Sequence, residues 1–320
     1  MKRLRRLMAV FLTLIFTVVV FTGCGEERMM FGTGGTAGTY YSYGGVLAQY
    51  MTTYAGVKVT AVSTGGSKVN IQSIQDGDFQ IGFSQSDVLA YAWNGTKSFE
   101  GDGGTQDFRV LGGLYDETVQ LITMDPNITC VEDLRGKSVS IGTAGSGVYF
   151  NAIDVLAAAG ITLDDIKPQY QSFEDSKESL KDGKIQAAFI VAGAPTTAIT
   201  ELATTNGVYI INIDGELRDT ILENYPYYTA YQIPAGTYPG QDEAIETISV
   251  KATIIVSAYL DEETVYNLTA AIFDHSSDIA LENAKGNELD LQNATEGMAA
   301  PFHEGAARYY AEHGIIVQTQ

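Results

Sequence analysis

Four stretches of this sequence share one design: an apolar run gives way to glycines and hydroxyls, and then to a helical pattern. They are Gly32-Thr33-Gly34-Gly35-Thr36-Ala37-Gly38-Thr39, Ser63-Thr64-Gly65-Gly66-Ser67, Gly142-Thr143-Ala144-Gly145-Ser146-Gly147 and Ala192-Gly193-Ala194-Pro195-Thr196-Thr197. Glycine allows a tight turn and lets another group approach the backbone where a Cβ would block it. The first N–H groups of a helix lack internal partners and carry positive partial charge. Ser and Thr cap such ends or offer hydroxyls outward, and Pro195 suits a first helical turn. Any one of these turns can be plain capping. Four around a shared cleft would make a site for an anionic group that needs few cationic side chains. The spacing fits neither GxGxxG nor a Walker A loop, and no Gly-Lys-Ser/Thr follows, which argues against phosphate transfer.

Between these turns, short apolar runs alternate with amphipathic ones, the pattern of an α/β fold. Strands are expected over 57–62, 79–83, 139–141, 187–191 and 208–213, with one or two more between 108 and 123. Helices are expected over 44–54, 69–74, 87–93, 153–159, 174–182, 196–203, 262–279 and 295–312. The segment from about 120 to 234 holds a complete strand–helix series of its own. The expected architecture is therefore two lobes, each a central sheet flanked by helices. Lobe I comprises 31–119 and 235–320, lobe II comprises 120–234, and the chain crosses twice, near 115–121 and 233–250.

The N-terminus differs from the rest. Lys2, Arg3, Arg5 and Arg6 precede an apolar run from Leu7 to Phe21, and then Thr22-Gly23-Cys24. A basic start, an apolar stretch of about 15 residues and small residues at the cut mark a secretory signal rather than a span of about 20. The pattern before Cys24 resembles a bacterial lipobox, so residues 1–23 are expected to be removed, Cys24 lipidated, and 24–30 left as a tether. The acyl chains would hold the protein at the membrane, outside the cytoplasm. The net charge of −20 becomes more negative by four once the signal is gone. Nucleic acid, which needs a basic footprint, is excluded as a partner. With Cys24 lipidated, Cys130 has no cysteine partner, and its expected role is that of a small, partly buried side chain.

The candidate ligand contacts in the glycine turns are Thr33, Gly34, Thr36, Thr39, Tyr40, Thr64, Gly66, Ser67, Thr143, Ser146, Gly147, Ala194 and Pro195. Gln85-Ser86-Asp87 opens another helix. Asp87 there suits the helix dipole, and facing a cleft it could instead pair with a ligand ammonium. Tyr40, Tyr41, Tyr43 and Tyr149 stand at or just after the turns and offer apolar walls with polar tips. His275, His303 and His313 lie far from the turns in sequence. No GxSxG, HExxH or CxxC occurs. The reading is a binding protein rather than an enzyme, with no catalytic residue, no metal site and no cofactor, acting as a monomer.

Together Gly32–Tyr41 (GTGGTAGTYY), Ser63–Ser67 (STGGS), Phe83–Gly95 (FSQSDVLAYAWNG), Phe108–Tyr115 (FRVLGGLY), Val131–Gly147 (VEDLRGKSVSIGTAGSG) and Ile233–Gly240 (IPAGTYPG) resemble the TAXI group of TRAP-transporter solute receptors. The resemblance runs in order through nearly all of the chain after Cys24. It implies a periplasmic-binding-protein-like fold whose two lobes close on a ligand. It also implies delivery to a TRAP-type membrane permease driven by an ion gradient. The ligand implied is a small carboxylate, either a glutamate- or glutamine-like amino acid or a 2-oxo acid. A ligand-sensing lipoprotein that signals through a membrane receptor is the alternative.

Overall fold

The computed structural model describes residues 28–320 apart from Asp102. The segment 1–23, expected to be a signal, and Cys24 lie outside the described residues. The strands are β1 (Arg28–Gly32), β2 (Lys58–Val62), β3 (Ile81–Gln85), β4 (Phe108–Thr123), β5 (Ser138–Ser140), β6 (Lys167–Gln169), β7 (Ala187–Ala192), β8 (Tyr209–Ile211), β9 (Thr229–Ile233) and β10 (Ile245–Ser257). The helices are α1 (Thr39–Tyr54), α2 (Ser67–Gln75), α3 (Ser86–Asn94), α4 (Gly147–Ala158), α5 (Phe173–Lys181), α6 (Thr197–Asn206), α7 (Gly215–Asn224), α8 (Glu262–Phe273), α9 (Ser276–Glu282) and α10 (Glu304–Glu312). β1 starts at Arg28, inside the stretch expected to be tether, because Arg28 to Gly32 pair in parallel with Lys58 to Val62.

The strands join into one mixed sheet ordered β2-β1-β3-β10-β4-β7-β5-β6, with β8 on β4 and β9 on β10. Parallel pairs lie at its two ends, β2-β1-β3 and β7-β5-β6. Between them run the two long antiparallel strands, β4 and β10. Each changes neighbours partway along. β10 pairs with β3 over Ala252–Val256 and with β9 over Ile245–Ser249. β4 pairs with β7 over Thr118–Thr123. The switch in both strands falls where Glu117 faces Val250 across the ladder.

The cores follow the same division. One contains Phe31, Leu47, Phe83, Leu111, Ile254, Phe273 and Tyr310. A second contains Val119, Leu121, Ile141, Val155, Phe189, Ile248 and Val250. A third covers the opposite face of the second half, with Ile190, Ile199, Leu202 and Ile233. β7 shows how the sequence makes two cores from one strand: Ala187, Phe189 and Val191 point into one, Ala188, Ile190 and Ala192 into the other. Side chains alternate with period two along a strand, so a continuous apolar run serves a sheet covered on both faces.

Two expected helices are corrected. The run from Glu262 to Ile279 breaks at Asp274-His275 into α8 and α9. The run from Thr295 is helical only from Glu304. Before that, Pro301 and His303 bond to Val110 of β4: Val110 N donates to Pro301 O at 3.0 Å and His303 N to Val110 O at 2.9 Å. Pairing to a strand, with a proline in the segment, overrides local helical pattern.

Candidate functional site

The turn after β1 is fixed by its own hydroxyls. Thr33 donates from N and Oγ1 to Val62 O, at 2.9 and 2.7 Å. Thr64 Oγ1 lies 3.0 Å from Thr33 O and 2.7 Å from Asn70 Oδ1. The buried Asn70 amide donates to Thr33 O at 2.7 Å and Phe83 O at 2.9 Å. One side chain of α2 therefore ties together the ends of β1, β2 and β3. A Cβ on Gly32 would lie 2.5 Å from Asn70 Oδ1, so this position accepts only glycine.

Those tied turns aim two helix starts at one place. α1 begins after Gly38 and α2 after Gly66, and neither has a side-chain cap. Gly66 sits at φ +96, a conformation in which side-chain-bearing residues are strained. From the other half come α4, whose Ser146 accepts from Tyr149 N at 3.2 Å, and α5, whose Ser172 accepts from Asp175 N at 3.1 Å. The four helix starts line one cleft. Uncapped N-termini carry the strongest unmet donor capacity, so α1 and α2 present the more open amides. Among the described lining residues there is no Lys, Arg or His.

At the floor lies Glu117, on β4 where the strand passes between the cores, with only 3% of its surface exposed. Tyr115 donates its hydroxyl to Glu117 Oε1 at 3.3 Å. Burial pushes the Glu117 carboxyl up to about 8, against the opposing effect of Gln85, Tyr40 and Tyr115 beside it. Tyr40 stacks on Phe83, ring centroids 4.4 Å apart. Its buried hydroxyl has no partner in hydrogen-bond geometry among the described residues, although Ser67 and Glu117 adjoin it. Gln85 spends its Nε2 on Asn151 Oδ1 at 3.1 Å and leaves Oε1 without a donor.

Of the residues singled out in the sequence, Gly34, Thr39, Tyr40, Thr64, Gly66, Ser67, Gln85, Thr143, Ser146 and Gly147 line this cleft. Thr33, Thr36, Asp87, Ala194 and Pro195 do not. Thr33 is spent on Val62, while Thr36 and Pro195 are exposed away from the lining. Of the fourth glycine turn Ala192 lines the cleft, and the residues after it are tied to α1 and Tyr238. Gly193 O accepts from Thr39 Oγ1 at 2.9 Å and from Thr196 Oγ1 at 3.0 Å, and Thr196 N donates to Tyr238 OH at 2.9 Å.

Asp87 stands in the first turn of α3, where it suits the helix dipole, and does not line the cleft. It is fully buried, and Asn151 of α4 donates to its Oδ2 at 3.0 Å and to Tyr228 OH at 2.8 Å. Tyr228 donates to Asp154 Oδ2 at 3.2 Å, and Lys97 reaches Asp154 Oδ1 at 2.9 Å. This chain of polar groups joins α3 and the turn after it to α4. Burial raises the Asp87 carboxyl to about 7.

Sequence reasoning missed Glu117 and the Gln171-Ser172-Phe173 turn. Ser172 with Asp175 three residues later was a legible capping signal. The acid pair Asp116-Glu117 inside the largely apolar stretch 108–123 was legible too, but which of the two faces the cleft was not. Among the described residues no cluster of His, Cys, Asp or Glu could hold a metal ion, and no helix is long and apolar enough to cross a membrane.

A model of the NMT1-like family matches residues 31–314. A Prochlorococcus marinus protein solved in complex with methylphosphonate is 8% identical; the match covers 82% of this chain and 90% of that one, with a TM-score of 0.55. A binding protein component of an ABC phosphonate transporter from Pseudomonas aeruginosa is 12% identical over 81% of this chain and 79% of its own, with a TM-score of 0.54. An ancestral arginine-binding protein bound to arginine is 14% identical over 82% and 99%, with a TM-score of 0.51. At these identities the likeness is one of fold, the periplasmic-binding-protein-like α/β architecture.

Proposed function

The chain belongs to the NMT1-like family, and from that premise we propose that it is an extracytoplasmic receptor that captures a small carboxylate between two lobes and delivers it to a membrane permease. The lobes of this reading are 31–119 with 235–320, and 120–234. The observation that carries it is the meeting of four helix starts, two from each half, on one cleft that, among the described residues, no cationic side chain lines. Backbone amides and hydroxyls of this kind hold an anion without a counter-charge. A ligand touching both halves binds the closed form better and so draws the lobes together.

Mass spectrometry of what co-purifies with the tag-free domain, followed by calorimetry with glutamate, glutamine, 2-oxoglutarate and methylphosphonate, tests the ligand class. Binding of a carboxylate supports the reading, and binding of methylphosphonate alone overturns it. Small-angle scattering is expected to show a smaller radius of gyration with ligand.

The resemblance of the glycine turns favours a TRAP-type permease. The fold shared with a component of an ABC phosphonate transporter favours an ABC permease as the second reading. Uptake into proteoliposomes driven by an ion gradient supports the first, and an absolute need for ATP the second. Lipid anchoring at Cys24 is checked by Cys24→Ala, which is expected to leave an uncleaved precursor and abolish detergent partitioning. Unchanged size and fractionation would sink it.

A further inference from the structure

Asn151 sits on α4 in the second half and is fully buried. Its amide donates to Asp87 Oδ2 at 3.0 Å and to Tyr228 OH at 2.8 Å, and its Oδ1 accepts from Gln85 Nε2 at 3.1 Å. Both donors of the amide and its oxygen are thereby used. Gln85 ends β3 and Asp87 stands in the first turn of α3, so one side chain of the second half is held by two of the first. Asp154 stands three residues on, on the same face of α4. It takes Lys97 Nζ of the first half at 2.9 Å and the Tyr228 hydroxyl at 3.2 Å. Phe150, next to Asn151, packs into the first core although its helix belongs to the second half, with Tyr91 of α3 edge-on at 5.7 Å. Of these residues only Gln85 is among the described lining of the cleft. The bonds that join the halves here are made between protein groups, and a ligand is not part of them.

Resting on the reading that two lobes close on a ligand, we propose that Asn151 is a positioning residue: with Gln85 and Asp87 it forms a clasp that holds part of the ligand-free population closed. Opening the halves separates Asn151 from both partners at once. Water then replaces them, so each lost bond shifts the open–closed ratio by only about two- to tenfold. The clasp therefore biases the equilibrium and does not lock it. Lys97–Asp154 is its outer end, reached by solvent and weaker for that reason. Apparent affinity scales with the fraction of molecules in the competent form. Asn151 thus raises affinity without touching the ligand.

Small-angle neutron scattering of the full chain, with detergent matched out and mass spectrometry confirming that no ligand is carried along, tests this. Asn151→Ala removes the polar groups, adds no bulk and suits a helix. It is expected to show a larger ligand-free radius of gyration than wild type and to reach the wild-type value at saturating L-glutamate. Its glutamate affinity is expected to fall by about tenfold. Lys97→Met is expected to expand the ligand-free form less, and Asp87→Asn, which keeps an acceptor oxygen, to leave it unchanged. A wild-type ligand-free radius in an Asn151→Ala protein that melts cooperatively overturns the clasp and leaves the carboxylate reading standing. Should Asn151→Ala not melt cooperatively, the same result in Lys97→Met overturns it. Expansion of ligand-free Asn151→Ala in a protein that binds no carboxylate supports the clasp and removes the carboxylate reading.

Discussion

The amide oxygen of Gln85 fills the space that a Cβ on Gly147 would need. Gln85 ends β3 in the first half, and Gly147 opens α4 in the second. The halves meet at this point with nothing between backbone and side chain. Gly147→Ala is therefore expected to hold the lobes apart while each core stays intact. Ligand affinity should fall by about tenfold or more, since overpacking costs about 1–3 kcal/mol. Scattering should lose its ligand-induced contraction, with the ligand-free melting temperature little changed. Full contraction in Gly147→Ala would refute this.

Asp87→Asn separates the buried polar chain from the ligand. Asp87 lies off the cleft lining and bonds to Asn151. The substitution is expected to leave glutamate affinity within about threefold, because one hydrogen bond is worth about 0.5–1.5 kcal/mol and an asparagine oxygen can still accept it. A loss above about 30-fold in calorimetry, the size of a severed charge pair, would place Asp87 at the ligand after all.

Lys97 has φ +49, rare for a residue with a side chain, and from there its Nζ reaches Asp154. Asp154 is 2% exposed and Lys97 about a third exposed, at 34%. Removing the cation strands a buried carboxylate, though solvent at the lysine end moderates the loss. Lys97→Met is expected to cost about 1–3 kcal/mol in urea unfolding. Lys97→Gly, which relaxes φ, should recover part of this. No change in midpoint for Lys97→Met would show the pair to be inert.

Two buried acids set an unusual pH dependence. Glu117 is raised to about 8 and Asp87 to about 7, both by burial. An acid whose folded value exceeds its unfolded value holds more protons folded than unfolded between the two. Its stabilising effect is complete below the unfolded value and is lost as pH rises through the folded one. Stability of the ligand-free protein should therefore decline from about pH 5 to about pH 8, by on the order of 1 kcal/mol per pH unit for each group. Calorimetric melting across that range checks it. Glu117→Gln and Asp87→Asn should each flatten the slope, and a stability rising through the range would contradict the assignment.

The turns at 32–39, 63–67 and 142–147 were legible as helix starts because glycines and hydroxyls gather where a strand gives way to a helix. The turn at 192–197 has the same composition, yet its oxygens go to Thr39 and Thr196. Composition cannot say whether a helix start faces a cleft or a neighbouring turn. Asp87 and Glu117 show the same limit for charge. Both are acids beside apolar runs, and which of them reaches the cleft depends on where β4 stops pairing as part of one half and begins pairing with the other. That is a matter of register among five strands spread from β3 to β10. The break of the C-terminal helix at Pro301 was local, but its pairing to Val110 was not.

Both passages between the cores are strands inside one ladder rather than free linkers. The second core takes Val119 from one passage and Ile248 and Val250 from the other. A piece cut at the ends of 120–234 would leave that core without those side chains, and β9 without β10, its antiparallel partner over Ile245–Ser249. The halves can thus move against each other only by flexing a shared pair of strands, whose register already slips at Ala252/Thr253 and Ile254/Ile255. For anyone recombining such receptors, the unit that can be exchanged is the cleft-facing turns. A whole half is not portable, because each half is finished by the other's thread.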